Sequence, residues 1–436
     1  MRLPDAAPAA RTPPAPPLTL ANWLEAPFNR QAFRGVRQLL PTADIRRAET
    51  STILEVAPAS LDETVVGGLD GRPIPLGALL EPLHVDGAIV LHRGRIVWER
   101  YRHELTRSDP HITFSVTKSV TGALVGILAD AGLLHPGDPV SRYLPEAVGS
   151  AFQEARVQDL LDMSVPVAFN EDYSAADGAL ARYRRAAGWE PNDRAGLPVP
   201  SLRRFLMSLE PGARHDGSVF QYLSVVTDTL GWVIERACGA SFASVLERHL
   251  WKPLGCADDA YVTLDPEGLA RSAGGFCATL RDLARFAEMI RTGGRANGRQ
   301  IVPRAWIDDT LTQGDREAWR AGLFTDIFAE GSYRNSWIVP HGAGRLMCAV
   351  GVYGQSIYVD LDQELVAVRL SSQTDAIDMA RHRVWFQACR TIGEVLNGRA
   401  AAPDRNGPAR GDRPPEAVPG AAGCRPDISD PIEPLS

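Results

Sequence analysis

The most constraining stretch of the sequence is an apolar run over residues 119–133 that follows a short polar segment. Its apolar residues recur at helical spacing, namely Val116, Val120, Ala123, Leu124, Ile127 and Leu128. This period predicts a helix, and a helix that is apolar on most of its surface must be covered by other parts of the chain. The fold therefore has to surround a largely buried helix, with Ser115 in its first turn.

Ser115 and Lys118 lie three positions apart, so they share one face of the predicted helix. Helical side chains lean toward the N-terminus, which returns the Lys118 amine toward the Ser115 hydroxyl. Only two of the 46 basic residues are lysines, Lys118 and Lys252. Arginine keeps its proton in proteins, whereas a buried lysine can lose it. The pattern indicates a serine nucleophile beside a proton acceptor; an N-cap serine with a solvated lysine is the alternative interpretation.

The composition is that of an ordinary globular protein and excludes several classes of function. Of 436 residues, 44% are hydrophobic and 23% are charged, with a formal net charge of −7, which gives no support to nucleic-acid binding. No apolar run approaches the length of a membrane span, and residues 1–17 lack the apolar core of a signal peptide. We therefore expect a cytoplasmic protein without a membrane association. The six cysteines show no zinc spacing and no nucleotide-binding loop is present, so neither metal nor cofactor is predicted.

Strand patterns lie near both ends of the chain, and helix patterns lie between them. Strands are predicted at 87–91, 95–101, 346–350, 355–359 and 365–370, the first two forming a hairpin. Helices are predicted at 157–163, 201–209, 225–237, 242–250, 280–292 and 376–396. The polar segment 170–200 is a long excursion of the kind that forms binding loops or lids. This order favours one sheet built from both ends of the chain, with a mostly helical insertion.

The resulting organisation has four parts. A sheet domain comprises residues 19–155 and 274–398, and a mostly helical inserted domain comprises residues 156–273. Residues 1–18 and 399–436 are rich in proline, glycine and alanine and poor in large apolar residues. Such segments cannot bury enough apolar surface to fold. They are predicted to be a disordered arm and a disordered tail.

Two further segments are candidates for the remainder of an acyl-transfer site. Such a site also needs a proton donor for the leaving atom and an oxyanion hole. Tyr222 lies between a turn and a helix, where its phenol could enter a cleft, and a nearby ammonium would lower its pKa; a packed core tyrosine is the alternative. In the segment 351–355, two glycines would let the backbone approach a substrate. The N–H groups of Gln355 and Ser115 could then form the oxyanion hole; a glycine bulge at a strand edge is the alternative.

Taken in order, these segments resemble the motifs of the penicillin-recognising serine hydrolases, which include class C β-lactamases, DD-peptidases and related esterases. Ser115–Lys118 is similar to their Ser-x-x-Lys motif, Tyr222–Ser224 to Tyr-x-Asn/Ser, and Val352–Gly354 to their strand motif. From about residue 20 to residue 396 the sequence is similar to the 6-aminohexanoate-dimer (nylon oligomer) hydrolases. The resembling segments are Leu20-Ala21-Asn22-Trp23, Phe114-Ser115-Val116-Thr117-Lys118-Ser119, Leu161-Asp162-Met163-Ser164, Asn170-Glu171-Asp172-Tyr173, Ala187-Gly188-Trp189, Tyr333-Arg334-Asn335, Gly354-Gln355 and Tyr358-Val359-Asp360.

The resemblance implies a β-lactamase-like α/β fold, with an antiparallel sheet flanked by helices. It implies that Ser115 is acylated, that Lys118 takes its proton, and that Tyr222 passes a proton to the leaving group. It also implies an oxyanion hole at the N–H groups of Ser115 and Gln355. Substrate-binding positions implied by the family are Tyr173, Ser224, Tyr353 and Gly354. Tyr173 would contact the nitrogen side of a scissile amide.

Three departures from the family pattern bear on the substrate. Val352 stands where β-lactamases and DD-peptidases carry a lysine, and Ser224 stands where they carry an asparagine, which argues against β-lactams. Arg184, with Arg185, could hold a substrate carboxylate, although a solvated helix face is the alternative. The leading hypothesis is a serine hydrolase for short linear amides or carboxylic esters, with a small-molecule partner and a homodimer as one possible assembly. A β-lactamase or DD-peptidase and a non-catalytic binding protein on the same fold are the alternatives.

Overall fold

A seven-stranded antiparallel sheet is built from strands of the early and the late part of the chain. The structure, a computed structural model, describes residues 16–173, 177–191, 201–213, 220–320 and 322–398. Its strands are β1 Thr42–Ile45, β2 Val65–Gly67, β3 Pro73–Pro75, β4 Val85–His92, β5 Arg95–Tyr101, β6 His111–Ile112, β7 Ala260–Thr263, β8 Phe276–Ala278, β9 Arg295–Ala296, β10 Arg299–Gln300, β11 Gly331–Arg334, β12 Trp337–Pro340, β13 Leu346–Gly351, β14 Gln355–Asp360 and β15 Leu365–Ser371. The large sheet has the order β11-β12-β13-β14-β15-β4-β5. The predicted sheet with strands from both chain ends is confirmed.

The helices of the described residues are α1 Phe28–Ala32, α2 Leu76–Leu79, α3 Val116–Asp130, α4 Val140–Tyr143, α5 Val157–Leu161, α6 Ala179–Ala186, α7 Leu202–Met207, α8 Ser224–Cys238, α9 Phe242–Leu246, α10 Lys252–Leu254, α11 Leu280–Arg291, α12 Arg304–Thr312, α13 Arg316–Arg320 and α14 Met379–Leu396. Short 3-10 turns lie at Val36–Gln38, Pro145–Ala147, Leu323–Asp326 and Val352–Gly354, and a π-helical turn lies at Glu247–Trp251. None of the described helices combines the length and the apolar character that a membrane crossing requires.

The centre of the large sheet is covered on both faces. Every residue of β13, β14 and β15 is buried, and so are seven of the eight residues of β4. Because consecutive strand residues point to opposite faces, uninterrupted burial requires cover on both sides. Helix α11 packs against β4, β14 and β15, helix α3 contacts β12, β13 and β14, and helix α14 contacts β14. The sheet and these helices together enclose the core.

Helix α3 is the buried helix that the sequence predicts, but it starts just after Ser115. It begins at Val116, so Ser115 is its N-cap residue rather than part of its first turn. It ends at Asp130, and the left-handed conformation of Gly132 (φ 69°) turns the chain away from the helix axis. The shift matters for chemistry because the N-cap position puts Ser115 beside the unpaired N–H groups of the helix terminus.

Several elements of the fold were not predicted from the sequence, among them a second sheet and a helix. A second sheet, of order β1-β7-β8-β6, draws its four short strands from both the early and the middle part of the chain. Strands of two to four residues are too short for a two-residue alternation to be recognised. Helix α6 was also missed, since it lies within the polar segment 170–200, parts of which are outside the described residues.

The proposed division into a sheet domain (19–155 and 274–398) and an inserted domain (156–273) stays a prediction. Most of the predicted arm, residues 1–15, and the entire predicted tail, residues 399–436, lie outside the described residues.

The contact between α3 and the segment before β12 gives a stability prediction. A Cβ atom added at Gly122 would lie 2.3 Å from the backbone oxygen of Asn335. Because this obstacle is a backbone atom and not the end of a flexible side chain, it cannot easily move aside. We expect Gly122→Ala to lower the free energy of unfolding by about 1–3 kcal/mol, the usual cost of overpacking, although alanine is the better helix former. Denaturant unfolding followed by circular dichroism measures the change.

Gly393 in α14 supplies the matched control. An added Cβ there would meet the end of the flexible Gln363 side chain, which can turn away. Gly393→Ala should therefore change the free energy of unfolding by less than about 1 kcal/mol. Equal effects of the two substitutions would show that the close approach at Gly122 is not what requires glycine.

Candidate active site

The backbone around Ser115 is held in an uncommon conformation. Phe114 has a φ of 43°, in the left-handed region that a bulky residue seldom adopts. Its ring packs against Trp23, Phe33 and Tyr353, with ring centroids 4.9–6.4 Å apart. This aromatic cluster fixes the turn that leads from β6 into α3. As a result, Ser115 is presented at the helix N-terminus with only 8% of its surface exposed.

Lys118 is buried, and its amine donates hydrogen bonds to three oxygen atoms. Its Nζ atom lies 2.8 Å from Ser115 Oγ, 3.1 Å from Ser224 Oγ and 2.9 Å from the carbonyl oxygen of Ala273. The amine is only 1% exposed. All three donors of a protonated lysine are thus accounted for within the protein. The predicted contact between the Lys118 amine and the Ser115 hydroxyl is present, and the solvated lysine of the alternative interpretation is not.

Burial makes the Lys118 amine a much weaker base than a free lysine. Desolvation lowers the pKa of Lys118 from 10.5 to about 8, since the ammonium loses its hydration in the interior. The negative charges of Glu171 and Asp228 raise the pKa, and the positive charge of Arg271 lowers it further. A substantial fraction of Lys118 is therefore neutral near physiological pH and able to accept a proton from Ser115.

Tyr222 also reaches Ser115. Its hydroxyl is within hydrogen-bonding distance of Ser115, and Lys118 Nζ lies 5.0 Å from the centroid of its ring. The ring packs edge-on against Phe324 and Tyr333. The sequence analysis expected the lysine to lower the pKa of Tyr222, and that expectation is wrong. Burial raises the pKa of Tyr222 instead, so the phenol stays protonated and can act as a proton donor.

Glu171 connects the residues around the lysine, and the sequence analysis assigned it no role. Its carboxylate accepts hydrogen bonds from the Ser224 N–H (2.6 Å), the Ser224 hydroxyl (2.8 Å) and the Tyr173 hydroxyl (2.7 Å). The first of these bonds caps the N-terminus of α8, where a negative charge is favourable. Ser224, expected to bind substrate, therefore bridges Lys118 and Glu171. The only sequence signal for Glu171 was its position in the family-like segment Asn170–Tyr173.

Asp228 fixes the third partner of the lysine. Its carboxylate is fully buried and accepts hydrogen bonds from the Ala273 N–H (2.8 Å), the Ser272 hydroxyl (3.4 Å) and the Tyr183 hydroxyl. Because Asp228 holds Ala273 by its N–H, the carbonyl of Ala273 is positioned for Lys118. No pattern in the predicted helix 225–237 indicates this role for Asp228, since Ala273 is distant in sequence.

Two clefts meet at Ser115. Both are lined by Ser115, Glu171, Tyr173 and Val352. The first cleft, of about 410 Å³, is further lined by Tyr183, Arg184, Trp189, Ser224, Arg271 and Tyr353. The second cleft, of about 500 Å³, is further lined by Tyr222, Phe324, Ile377, Asp378, Met379 and His382. A substrate whose reacting carbon lies at Ser115 can thus extend in two directions.

The backbone of β13 comes close to Ser115, as the glycine pattern predicts. A Cβ atom at Gly351 would lie 3.2 Å from the Ser115 nitrogen and 2.7 Å from the Thr113 oxygen, so only glycine fits. Gln355, the expected second oxyanion donor, pairs with Gly351 but is fully buried and is not among the residues that line either cleft. Its side chain bonds the carbonyl oxygen of Ser371 at 2.7 Å. Val352, which follows Gly351, lines both clefts.

The other expected substrate-binding residues fall into two groups. Tyr173, Arg184 and Tyr353 line the first cleft, and Tyr173 lines the second cleft as well. Gly354 lines neither cleft; its φ of 93° turns the chain into β14. Arg185 is not among the residues that line the two clefts; it pairs with Asp177 at 3.1 Å and, like Arg184, approaches the carboxylate of Glu190.

Comparisons with known proteins agree with this geometry. A family model described as "Beta-lactamase" matches residues 81–390. The chain is 36% identical, over 82% of its length and 88% of the other, to 6-aminohexanoate-dimer hydrolase of Paenarthrobacter ureafaciens. It is 28% identical to esterase EstB of Burkholderia gladioli over 42% of its length and 47% of the esterase.

A solved structure shares most of the fold. It comes from Bacillus anthracis and is assigned as a 6-aminohexanoate-dimer hydrolase. The TM-score is 0.79, the sequences are 27% identical, and the match covers 88% of this chain and 98% of that one.

The lowered pKa of Lys118 predicts how the reactivity of Ser115 depends on pH. Only the neutral amine can take the proton of Ser115, so the rate of labelling by a fluorophosphonate should rise with pH and reach half its maximum near pH 8. Mass spectrometry of the labelled peptide measures the rate. A midpoint near the ordinary lysine value of about 10.4 would contradict a buried, shifted amine.

Glu171→Gln tests the cause of the midpoint. The substitution removes a negative charge that raises the pKa of Lys118, so the midpoint should move to lower pH. Glutamine has a single acceptor oxygen, so it keeps only one of the two hydrogen bonds that Ser224 donates to different oxygens of Glu171. Glu146→Gln, which removes an exposed carboxylate paired with Arg236, is the matched control and should leave the midpoint in place.

Proposed function

The chain belongs to the beta-lactamase family, and from that premise we propose that this hydrolase cleaves short linear amides or carboxylic esters through an acyl-enzyme on Ser115. The observation that carries the proposal is the convergence of three groups from separate parts of the chain. The Lys118 amine lies 2.8 Å from the Ser115 hydroxyl, and Tyr222 lines the second cleft beside the same serine, with which its hydroxyl interacts. A nucleophile, a base and a proton donor in contact are the requirements of acyl transfer.

The first half of the proposed reaction forms the acyl-enzyme. Neutral Lys118 takes the proton of the Ser115 hydroxyl while the oxygen attacks the substrate carbonyl. The Ser115 N–H and, in place of Gln355, the Val352 N–H stabilise the oxyanion. Val352 begins a 3-10 turn, and the first N–H groups of a helical turn have no partner within it. It also lines both clefts beside the nucleophile.

The second half releases the two products. Tyr222 gives its proton to the leaving nitrogen or oxygen and recovers a proton from the Lys118 ammonium, so the serine proton ends on the leaving group. Water then attacks the acyl carbon, its proton passes through the same groups back to Ser115, and the carboxylic acid leaves. The raised pKa of Tyr222 and the lowered pKa of Lys118 support Lys118 as the base that starts the reaction.

The substrate class rests on the relatives and on the cleft. An amide hydrolase and an esterase are both among the similar proteins. Val352 brings no positive charge to the position where a β-lactam carboxylate would need one, and Ser224 is engaged by Lys118 and Glu171. Linear amides and esters are therefore favoured over β-lactams. Tyr173 would contact the amide nitrogen side, with Tyr353 and Arg184 along the first cleft.

The remaining expectations from the sequence stay predictions. They are the cytoplasmic location, the possible homodimer and the lack of a nucleic-acid partner. The acidic composition, with a formal net charge of −7, supports the last of them.

Lys118→Arg should abolish acylation. The guanidinium keeps the positive charge but does not release its proton, so it cannot act as the base. The burst of p-nitrophenol from a short-chain p-nitrophenyl ester measures acylation, and Ser115→Ala gives the background. Lys252→Arg is the matched control because Lys252 is half-exposed and pairs with Glu247, and neither residue lines a cleft. Near-normal turnover of Lys118→Arg would remove the base role.

Tyr222→Phe should lower kcat by about 10²–10⁴, the range usual for a lost general acid–base group. The effect should be larger for amides than for p-nitrophenyl esters, since p-nitrophenolate leaves without a proton. Steady-state kinetics on 6-aminohexanoate dimer and on the ester measure both. A fall of less than tenfold on the amide would assign Tyr222 to packing. A parallel assay with nitrocefin tests the β-lactamase alternative.

A further inference from the structure

The first cleft contains a buried arginine whose donors are not used up by the protein. The side chain of Arg271 is only 4% exposed, and its nearest acidic partner, Asp228 Oδ2, lies 3.2 Å from Nε. The orientation does not permit a hydrogen bond, and neither Nε nor Nη1 makes one within the described part of the chain. A guanidinium carries five N–H donors. Leaving them unpaired in the interior is costly, and a ligand would remove that cost.

The neighbours of Arg271 cover the faces of its guanidinium group, so only the edge that carries the N–H donors can bind a ligand. Its guanidinium carbon lies 4.4 Å from the ring centroid of Tyr183 and 4.4 Å from that of Trp189, so aromatic rings cover the group. Asp228 cannot satisfy the rest of the edge, because its oxygens already accept bonds from Ala273, Ser272 and Tyr183. The guanidinium lines the same cleft as Ser115.

A second arginine lines this cleft with loose partners. Arg184 Nη1 lies 3.5 Å from Glu190 Oε1, at the limit of a hydrogen bond, and its guanidinium carbon lies 5.3 Å from the Tyr173 ring centroid. The carboxylate of Glu171 lines the cleft too, but three donors from Ser224 and Tyr173 already occupy it. Two guanidinium groups with open donor capacity suit a planar, bidentate anion such as a carboxylate.

We propose that the first cleft is the acyl subsite and that Arg271 and Arg184 bind an anionic group at the far end of the acyl chain. The assignment of sides rests on the proposed function. Tyr222 protonates the leaving group and lines only the second of the two clefts, so the leaving group occupies that cleft and the acyl chain the other. The substrate class is then the monoamides or monoesters of dicarboxylic acids. A 6-aminohexanoyl chain carries an ammonium at this end and would be disfavoured.

Three p-nitrophenyl esters that differ only at the acyl terminus test the proposal. They are the hemi-pimelate (anionic), the hexanoate (neutral) and the 6-aminohexanoate (cationic), whose chains are too long for the end group to cyclise quickly onto the ester. For the wild-type protein we expect kcat/KM for the anionic ester to exceed that for the neutral ester by about tenfold or more, with the cationic ester poorest. Equal values for the anionic and neutral esters, or a preference for the cationic ester, would overturn the proposal.

Substitutions test which residues cause the preference for the anionic ester. Arg271→Gln and Arg184→Gln should each lower the anionic-to-neutral ratio of kcat/KM, Arg271→Gln by about tenfold or more. Arg271→Gln removes the positive charge beside the buried Asp228 carboxylate and can unfold the chain; Arg184 is less buried, so Arg184→Gln keeps the test decisive. Arg345→Gln, which removes an exposed arginine paired with Asp362, is the matched control and should keep the ratio. An unchanged ratio in a folded Arg184→Gln and Arg271→Gln would refute the assignment.

A binding measurement separates this proposal from the hydrolase proposal. In Ser115→Ala, which cannot turn over, glutarate should raise the melting temperature and glutaramide at the same ionic strength should not. The shift should shrink in Ser115→Ala/Arg184→Gln. If no ester is hydrolysed but glutarate still stabilises the protein, the hydrolase proposal fails and the anion subsite stands. If hydrolysis is normal and neither compound stabilises, the anion subsite fails alone.

Discussion

The burial of one amine governs the chemistry of this protein. Lys118 carries a positive charge into the interior at a large desolvation cost, and three oxygen acceptors between 2.8 and 3.1 Å away offset part of that cost. Glu171 and Asp228 offset more through their charge. The balance is what brings the pKa of Lys118 to about 8, within reach of neutral pH. A fully exposed lysine would stay protonated, and one without acidic neighbours would bind a proton too weakly to complete the cycle.

The acidic residues do more than adjust charge. Glu171 caps α8 and holds Ser224 and Tyr173, while Asp228 holds Ala273 and pairs with Arg271. Each therefore fixes one acceptor of the lysine and one wall of the first cleft. The same two carboxylates thus hold both the base and the surface that faces the substrate, which links proton transfer to the shape of the site.

Much of the fold was predictable from local patterns, and part of the site was as well. The hairpin between β4 and β5 follows from the apolar runs and from Arg93 and Gly94, which both adopt positive φ. Ser115 and Lys118 meet because they are one helical turn apart. By contrast, Lys118 and Ala273 are 155 positions apart, and the roles of Glu171 and Asp228 depend on contacts across 53 and 45 positions. No spacing or period encodes such contacts. The second sheet escaped for a different reason, since its strands are too short to show a period.

The pairing of β4 with β15 has a consequence for how the polypeptide is made. Ser115 is translated well before β13, the strand that runs beside it. The strands β14 and β15, which connect β13 to β4 in the sheet, are translated later still. Contacts so far apart in the chain form slowly, because a large loop must close before they stabilise anything. Competence for chemistry is therefore acquired only after the residues up to the end of β15 have left the ribosome, and before that point the nascent chain carries its serine in an inert setting.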